Sequence, residues 1–210
     1  LDGYYRSENP WARTVSPGLW VRYNVAVDGE LEDRVVGMNT WWQFGHRIWS
    51  FLKIEHNGEL VEHLDDDDVL LGTEWMEATE FSWSVGSSTW QWISMRAGVG
   101  LGQTPIRDSG LWADAGKDKP FLGWYYSPSA ELTLQPTSYM RFEFDYRHPM
   151  FFDGPDGQLL GDQPRLRGEF QVFLNRDWNL RHISQWTRSN QQMTNDYISL
   201  LKIYFLNNLF

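Results

Sequence analysis

The densest ionisable set in the chain is Arg141, Glu143, Asp145 and Arg147, every second residue of the stretch MRFEFDYR. Arg165, Arg167 and Glu169 repeat that spacing farther on. In an extended strand alternate side chains point the same way, so each set forms one ionic face. Guanidinium and carboxylate groups so placed can line a watery path and select the solutes that pass. They can equally neutralise one another across neighbouring strands as an ion-paired plug. Both readings put these seven side chains on an inward, lumen-lining face.

Other groups offer less. Asp65, Asp66, Asp67 and Asp68 are the candidates for a metal site, because a hard cation such as Ca²⁺ gathers several oxygens. They lack the spaced ligands and the glycine of a calcium loop, so a solvated loop is the plainer reading. Glu74, Glu77 and Glu80 suggest the paired carboxylates of a glycosidase, yet on a strand Glu77 points away from the other two. His46, His56, His63, His148 and His182 show neither H-x-x-x-H nor H-E-x-x-H spacing, and no G-x-S-x-G elbow accompanies them. A Ser/His hydrolase assembled from separate strands would have no members singled out here. The expectation is a protein without catalytic residues, metal or cofactor.

The elements that carry the ionic residues come next. Met140, Phe142, Phe144 and Tyr146 occupy the other face of MRFEFDYR. A water-soluble strand usually sets Val, Ile and Leu against Thr, Ser and Lys. Here an aromatic face opposes a wholly charged one, which suits a strand with lipid outside and a polar interior. The same alternation starts at Gly18, with Leu19, Val21, Tyr23, Val25 and Val27 against Trp20, Arg22, Asn24 and Ala26. It recurs over 34–44, 47–56, 73–85, 89–101, 121–134, 139–147, 165–174, 178–188 and 196–210. Turn signals fall at Asp28-Gly29, Gly45-His46, Gly86 to Ser88, Pro136 to Ser138 and Asn175 to Asp177. Longer polar segments at 57–70, 102–120 and 148–164 alternate with the short turns after the first.

Short turns at one end and long loops at the other describe an up-and-down meander. The expected fold is all-β: an antiparallel transmembrane β-barrel of about ten strands over 18–210, or the C-terminal part of a larger one. An irregular arm over 1–17, with Asn9-Pro10 and Ser16-Pro17, would precede it.

Composition agrees and excludes some classes. The 210 residues carry a formal net charge of -10, which leaves no basic surplus for a nucleic-acid backbone. Cysteine is absent, so there is no disulfide framework or thiol chemistry. No apolar run is long enough for a membrane helix, which does not bear on a barrel. Trp, Tyr and Phe number 13, 9 and 12, enough for aromatic girdles at two bilayer interfaces or for a carbohydrate-binding surface. The chain opens on Leu1, so a removed targeting segment or a longer polypeptide is expected.

The closing residues IYFLNNLF put Tyr204, Leu206 and Phe210 on one face. They resemble the terminal signal of bacterial outer-membrane barrels, in which alternating apolar residues and a final aromatic are read by the barrel-assembly machinery. Asn208 departs from that pattern. The series MNTWWQFGHRIWSF, Met38 to Phe51, followed by an acidic segment and a strand, resembles the C-terminal barrel portion of a poorly characterised bacterial family with an N-terminal family-nine-like carbohydrate-binding domain.

These resemblances imply a bacterial outer-membrane location and a lipid bilayer as partner. They also imply a second protein chain completing a partial barrel, or a periplasmic partner. The function expected is a solute channel or a membrane scaffold within a complex. The alternative is a soluble Trp-rich β-sandwich that binds or cleaves polysaccharide.

Overall fold

The computed structural model describes residues 5–6, 12–26, 29, 31–64, 70–107, 111, 115–173, 178–189 and 194–205. Its strands are β1 (Tyr5–Arg6), β2 (Ala12–Val25), β3 (Leu31–Phe44), β4 (Ile48–Leu64), β5 (Leu70–Trp90), β6 (Ile93–Ile106), β7 (Phe121–Thr137), β8 (Met140–Arg147), β9 (Met150–Phe152), β10 (Leu159–Asp162), β11 (Arg165–Phe173), β12 (Trp178–Ser189) and β13 (Thr194–Phe205). All belong to one antiparallel sheet, ordered β1-β2-β3-β4-β5-β6-β7-β8-β11-β12-β13. The β9–β10 hairpin is attached at the side through β7. The sheet is up-and-down and not closed: among the described residues no ladder joins β13 to β2. No helix is long and apolar enough to cross a membrane.

Register makes the two faces continuous across the sheet. On the face that holds both cavities, termed the inner face, the row Arg96–Glu131–Asp145–Arg167–Gln185 crosses five strands without a slip. The outer row Ala130–Tyr146–Leu166–Trp186 lies beside it. Side chains also reach across an intervening strand on the inner face. The Tyr125 hydroxyl on β7 donates to Glu80 on β5 at 3.4 Å, and the Arg96 guanidinium on β6 lies 5.6 Å from the Trp49 ring centre on β4. Trp41 stacks on Trp49 at 4.9 Å beside them.

The small apolar core sits at the end with the long connections. Ile106, Leu111 and Leu160 are buried there, with Ala115, Phe121 and Phe151 packed against them. The β6–β7 connection is tied to the inner face by two ion pairs, Arg107 to Glu59 at 2.5 Å and Lys119 to Glu74 at 2.7 Å. Val61 is 1% exposed on that face, and Met76 and Ala78 are buried there too.

Several expected boundaries move. The arm expected over 1–17 holds β1 and the start of β2, where Pro17 pairs opposite Thr40. Beyond Val15, β2 has no second neighbour among the described residues, and a proline that cannot donate to a ladder is tolerated on such an edge. Asn57-Gly58 is not a loop, because β4 continues to Leu64. Gly86 to Ser88 is not the turn, which lies instead at Gln91 and Trp92. Asn175 to Asp177 fall outside the described residues.

The two misread glycines share a cause with a third. A Cβ at Gly37, Gly58 or Gly86 would fall against the indole of Trp20, Trp75 or Trp49 respectively. Gly37 and Gly86 face those tryptophans directly in register, and the missing side chain is where the ring lies. Gly29 is different: it takes the positive φ of 91 that glycine allows, its N–H donating to the Ala26 carbonyl at 3.0 Å, while Asp28 lies outside the described residues.

Gly86→Val therefore displaces the Trp49 ring and should cost about 1–3 kcal/mol in denaturant unfolding, the usual penalty of overpacking. Gly72→Ala, whose Cβ meets nothing within 4 Å, should stay within about 0.5 kcal/mol of the parent.

Candidate functional site

The seven ionic residues singled out in the sequence come together. Arg141, Glu143, Asp145 and Arg147 on β8 share the inner face with Arg165, Arg167 and Glu169 on the adjacent β11. They line a cavity of about 470 Å³ completed by Glu131 and Thr133 from β7 and Arg181 from β12. Alternation places them there, since each strand leaves only every second side chain inside.

The carboxylates are shared among guanidinium groups. Glu169, with 10% of its side chain exposed, accepts two bonds from Arg181, at 2.5 and 2.7 Å, and a third from Arg167 at 3.1 Å. Asp145 accepts from Arg147 Nε at 3.3 Å and from Arg165 at 3.2 Å. Glu131 lies 3.6 Å from Arg147 and 4.0 Å from Arg96, and Glu143 pairs with Arg141. The forked geometry at Glu169 is the strong form of such a contact. The half-exposed pairs each contribute at most about 1 kcal/mol.

Arg181, Glu131 and Arg96 were not among the expected site residues. Arg96 and Glu131 are each the single charged residue of their strand, and Arg181 stands apart from Arg188, the other arginine of β12. Period-two placement of Arg181 and Glu131 on the inward face is readable, but their partners are fixed by cross-strand register.

A second inner cavity, about 390 Å³, lies among β2 to β6, and its charged lining residues are Arg22, Asp33, Arg34, Lys53, Glu55, Glu59 and Glu80. The glutamate trio separates as expected. Glu80 faces Tyr125, Glu74 is bonded to Lys119, and Glu77 pairs with Arg34 on the outer face. Among the described residues no group of His, Cys, Asp and Glu is arranged to hold a metal ion. Asp65 to Asp68 lie outside the described residues. So do Leu206 and Phe210, while Tyr204 stands in β13 opposite Asn179.

A separate charged cluster fastens the long-connection end. Asp162 at the end of β10 accepts from Arg188 at 2.8 Å and bonds His148 Nε2 at 2.9 Å, and the Tyr146 hydroxyl meets His148 Nδ1 at 3.1 Å. Burial by itself would push the Asp162 carboxyl up. The His148 and Arg188 hydrogen bonds, with the Arg188 charge, outweigh it and hold the carboxyl below its usual value.

No family model, curated protein or solved structure matches the chain.

Two outcomes follow from these contacts. Glu169→Gln leaves two arginines without their carboxylate and should cost about 2–3 kcal/mol in urea unfolding, against about 1 kcal/mol or less for Glu143→Gln. A carboxyl lowered in the folded state contributes stability that is complete above about pH 4 and lost as pH falls through the lowered value. Protection of the Gly161 and Gln163 amides, measured against their intrinsic exchange rates, should fall over that acid range, and Asp162→Asn should remove this pH dependence of protection.

Proposed function

We propose that this chain is a section of a bacterial outer-membrane β-barrel, its outer face against lipid and its ionic face lining a solute path or the interior of a membrane scaffold. The reading rests above all on one observation. Large apolar side chains stand exposed at outward positions along the sheet, from Leu19 at 62% and Tyr23 on β2 through Met38, Trp83, Met95 and Tyr126 to Phe144 at 45% and Leu166 on β11. No second layer covers them among the described residues, and a soluble sheet must bury such a face. The sandwich that would bind or cleave polysaccharide needs two sheets packed face to face, whereas these strands form one.

Further details support it. From Ile93 to Leu101, β6 presents outward Ile93, Met95, Ala97, Val99 and Leu101, roughly the 9–11 residues a tilted strand needs to cross hydrocarbon. Tyr23, Trp75, Trp124, Tyr146 and Trp186 lie outward near the long-connection end, while Trp90, Trp92 and Tyr139 stand exposed at the short-turn end. Polar atoms on the outer face bond within the sheet. The Trp83 indole donates to Ser50 Oγ at 2.9 Å, and Ser184 Oγ lies 3.4 Å from His182 Nε2. Ten long strands place the start of β2 and the end of β13 at the short-turn end, as an even-stranded barrel requires. The likeness of the final residues to a barrel-assembly signal points to the assembly machinery as a partner. Raw edges at β2 and β13 point to further strands, from the same polypeptide or a second chain.

The test is extraction and folding. The chain should require detergent and show heat-modifiable migration on a gel. Phe144→Arg should cost about 2–4 kcal/mol of folding into bilayers if its position lies near the midplane. A monodisperse, folded chain in plain buffer overturns the reading.

A further inference from the structure

We infer that the inner face holds a binding site for an oxyanion, a phosphoryl or carboxylate group, between Arg147 and Arg165. These two arginines stand directly opposite each other on β8 and β11. Like charges in that position destabilise a sheet. One carboxylate, Asp145, answers both, at 3.3 and 3.2 Å, and Arg147 also lies 3.6 Å from Glu131. Glu131 is in turn shared with Arg96. Three guanidinium groups thus meet two carboxylates, leaving one positive charge over in a chain whose formal net charge is -10.

Donors are also left over. The Arg165 Nε is buried without a hydrogen-bond partner among the described residues, which costs free energy until an acceptor arrives. The same row extends to hydroxyl groups on both sides, because Ser129 on β7 pairs opposite Arg147 and Thr187 on β12 pairs opposite Arg165. Ser129, Arg147, Arg165 and Thr187 therefore form a line of donors across four strands. Of these four, Arg147 and Arg165 line the cavity of about 470 Å³, which has room for a small oxyanion or for the charged end of a larger solute. Guanidinium forks match the paired oxygens of carboxylate and phosphoryl groups.

Neighbouring arginines do not repeat the arrangement. Arg167 and Arg181 are committed to Glu169, and Arg141 to Glu143. As a step in solute passage the site rests on the barrel reading; as a binding site it rests on register and charge alone.

The full chain, folded in detergent micelles or in plain buffer if it proves soluble, is titrated with inorganic phosphate and separately with glucuronate. Ionic strength is matched with chloride, and the thermal unfolding midpoint is followed. The midpoint should rise with phosphate, and Arg165→Gln should weaken the apparent affinity by at least about tenfold. In the absence of ligand Arg165→Gln should unfold no earlier than the parent, because it relieves the opposed charges. Ser129→Ala and Thr187→Val keep both arginines and should each weaken binding by about threefold, which holds the test open if the arginine variant misfolds.

Arg34→Gln, on the outer face, should leave the response unchanged. A rise with phosphate alone assigns phosphoryl solutes, and a rise with glucuronate as well extends the site to carboxylated sugars. No rise with either, or equal rises in the parent and the variants, overturns the site. Detergent dependence is read separately, so failure of the barrel reading does not mask failure of this one.

Discussion

A single layer of strands has two faces and no second layer to cover either, and this constraint governs the rest of the molecule. Backbone ladders satisfy the peptide groups between neighbouring strands, so what remains is the fate of the side chains. The inner face answers its own needs: carboxylates are shared among arginines, and indoles lie on glycines or on one another. The outer face is less fully answered. Trp75 lies on Gly58, Phe142 stacks on Phe170, Trp83 bonds Ser50 and Arg34 pairs with Glu77, while large apolar groups from Leu19 on β2 to Leu166 on β11 remain exposed. A large exposed apolar face suits hydrocarbon better than water, which is the ground of the proposed barrel reading.

Which residues share a face was legible in the sequence, because period two survives any uncertainty in where a strand starts. Val36, Met38, Thr40 and Trp42 do oppose Val35, Gly37, Asn39 and Gln43, and the pattern of MRFEFDYR holds residue by residue. Boundaries were less legible, and glycine is the reason. Glycine can supply a positive φ, as Gly29 does, or it can leave space for a ring on the next strand, as Gly58 and Gly86 do. Local sequence does not separate these roles. The deciding residue is a tryptophan far away along the chain, Trp75 for Gly58 and Trp49 for Gly86, brought near only by register. Asn57-Gly58 and Gly86-Ser87-Ser88 carry the composition of turns and the surroundings of a ladder.

The ionic site divides along the same line. Its densest members announce themselves because they alternate within one strand. Glu131, Arg181 and Arg96 do not, since each owes its role to a partner on another strand. Register also sets what no strand shows alone: Arg147 faces Arg165, and Glu143 faces Glu169. Opposed like charges are tolerable only because diagonal partners offset them, Asp145 between the arginines and Arg167 and Arg181 around Glu169. The face is therefore a lattice in which removing one charge alters several contacts, which pairwise reckoning of surface ion pairs would understate.

Edges carry the constraint to its end. In water an exposed edge is commonly guarded by charge, proline or brevity. On β2, Pro17 provides some guard, but beyond it Leu19, Val21, Tyr23 and Val25 stand in sequence with no charge among them on that face. In hydrocarbon each unpaired backbone group costs several kcal/mol, so on the proposed barrel reading the β2 and β13 edges would have to meet each other or further strands. Bore grows with strand number, and about eight strands leave an interior that side chains just fill. The inner face here carries Trp20, Trp41, Trp49, Phe51, Tyr125 and a full complement of arginines, with two cavities still open among them. On the proposed barrel reading, joining β13 to β2, directly or through further strands, would convert this wall of ion pairs into one side of the path.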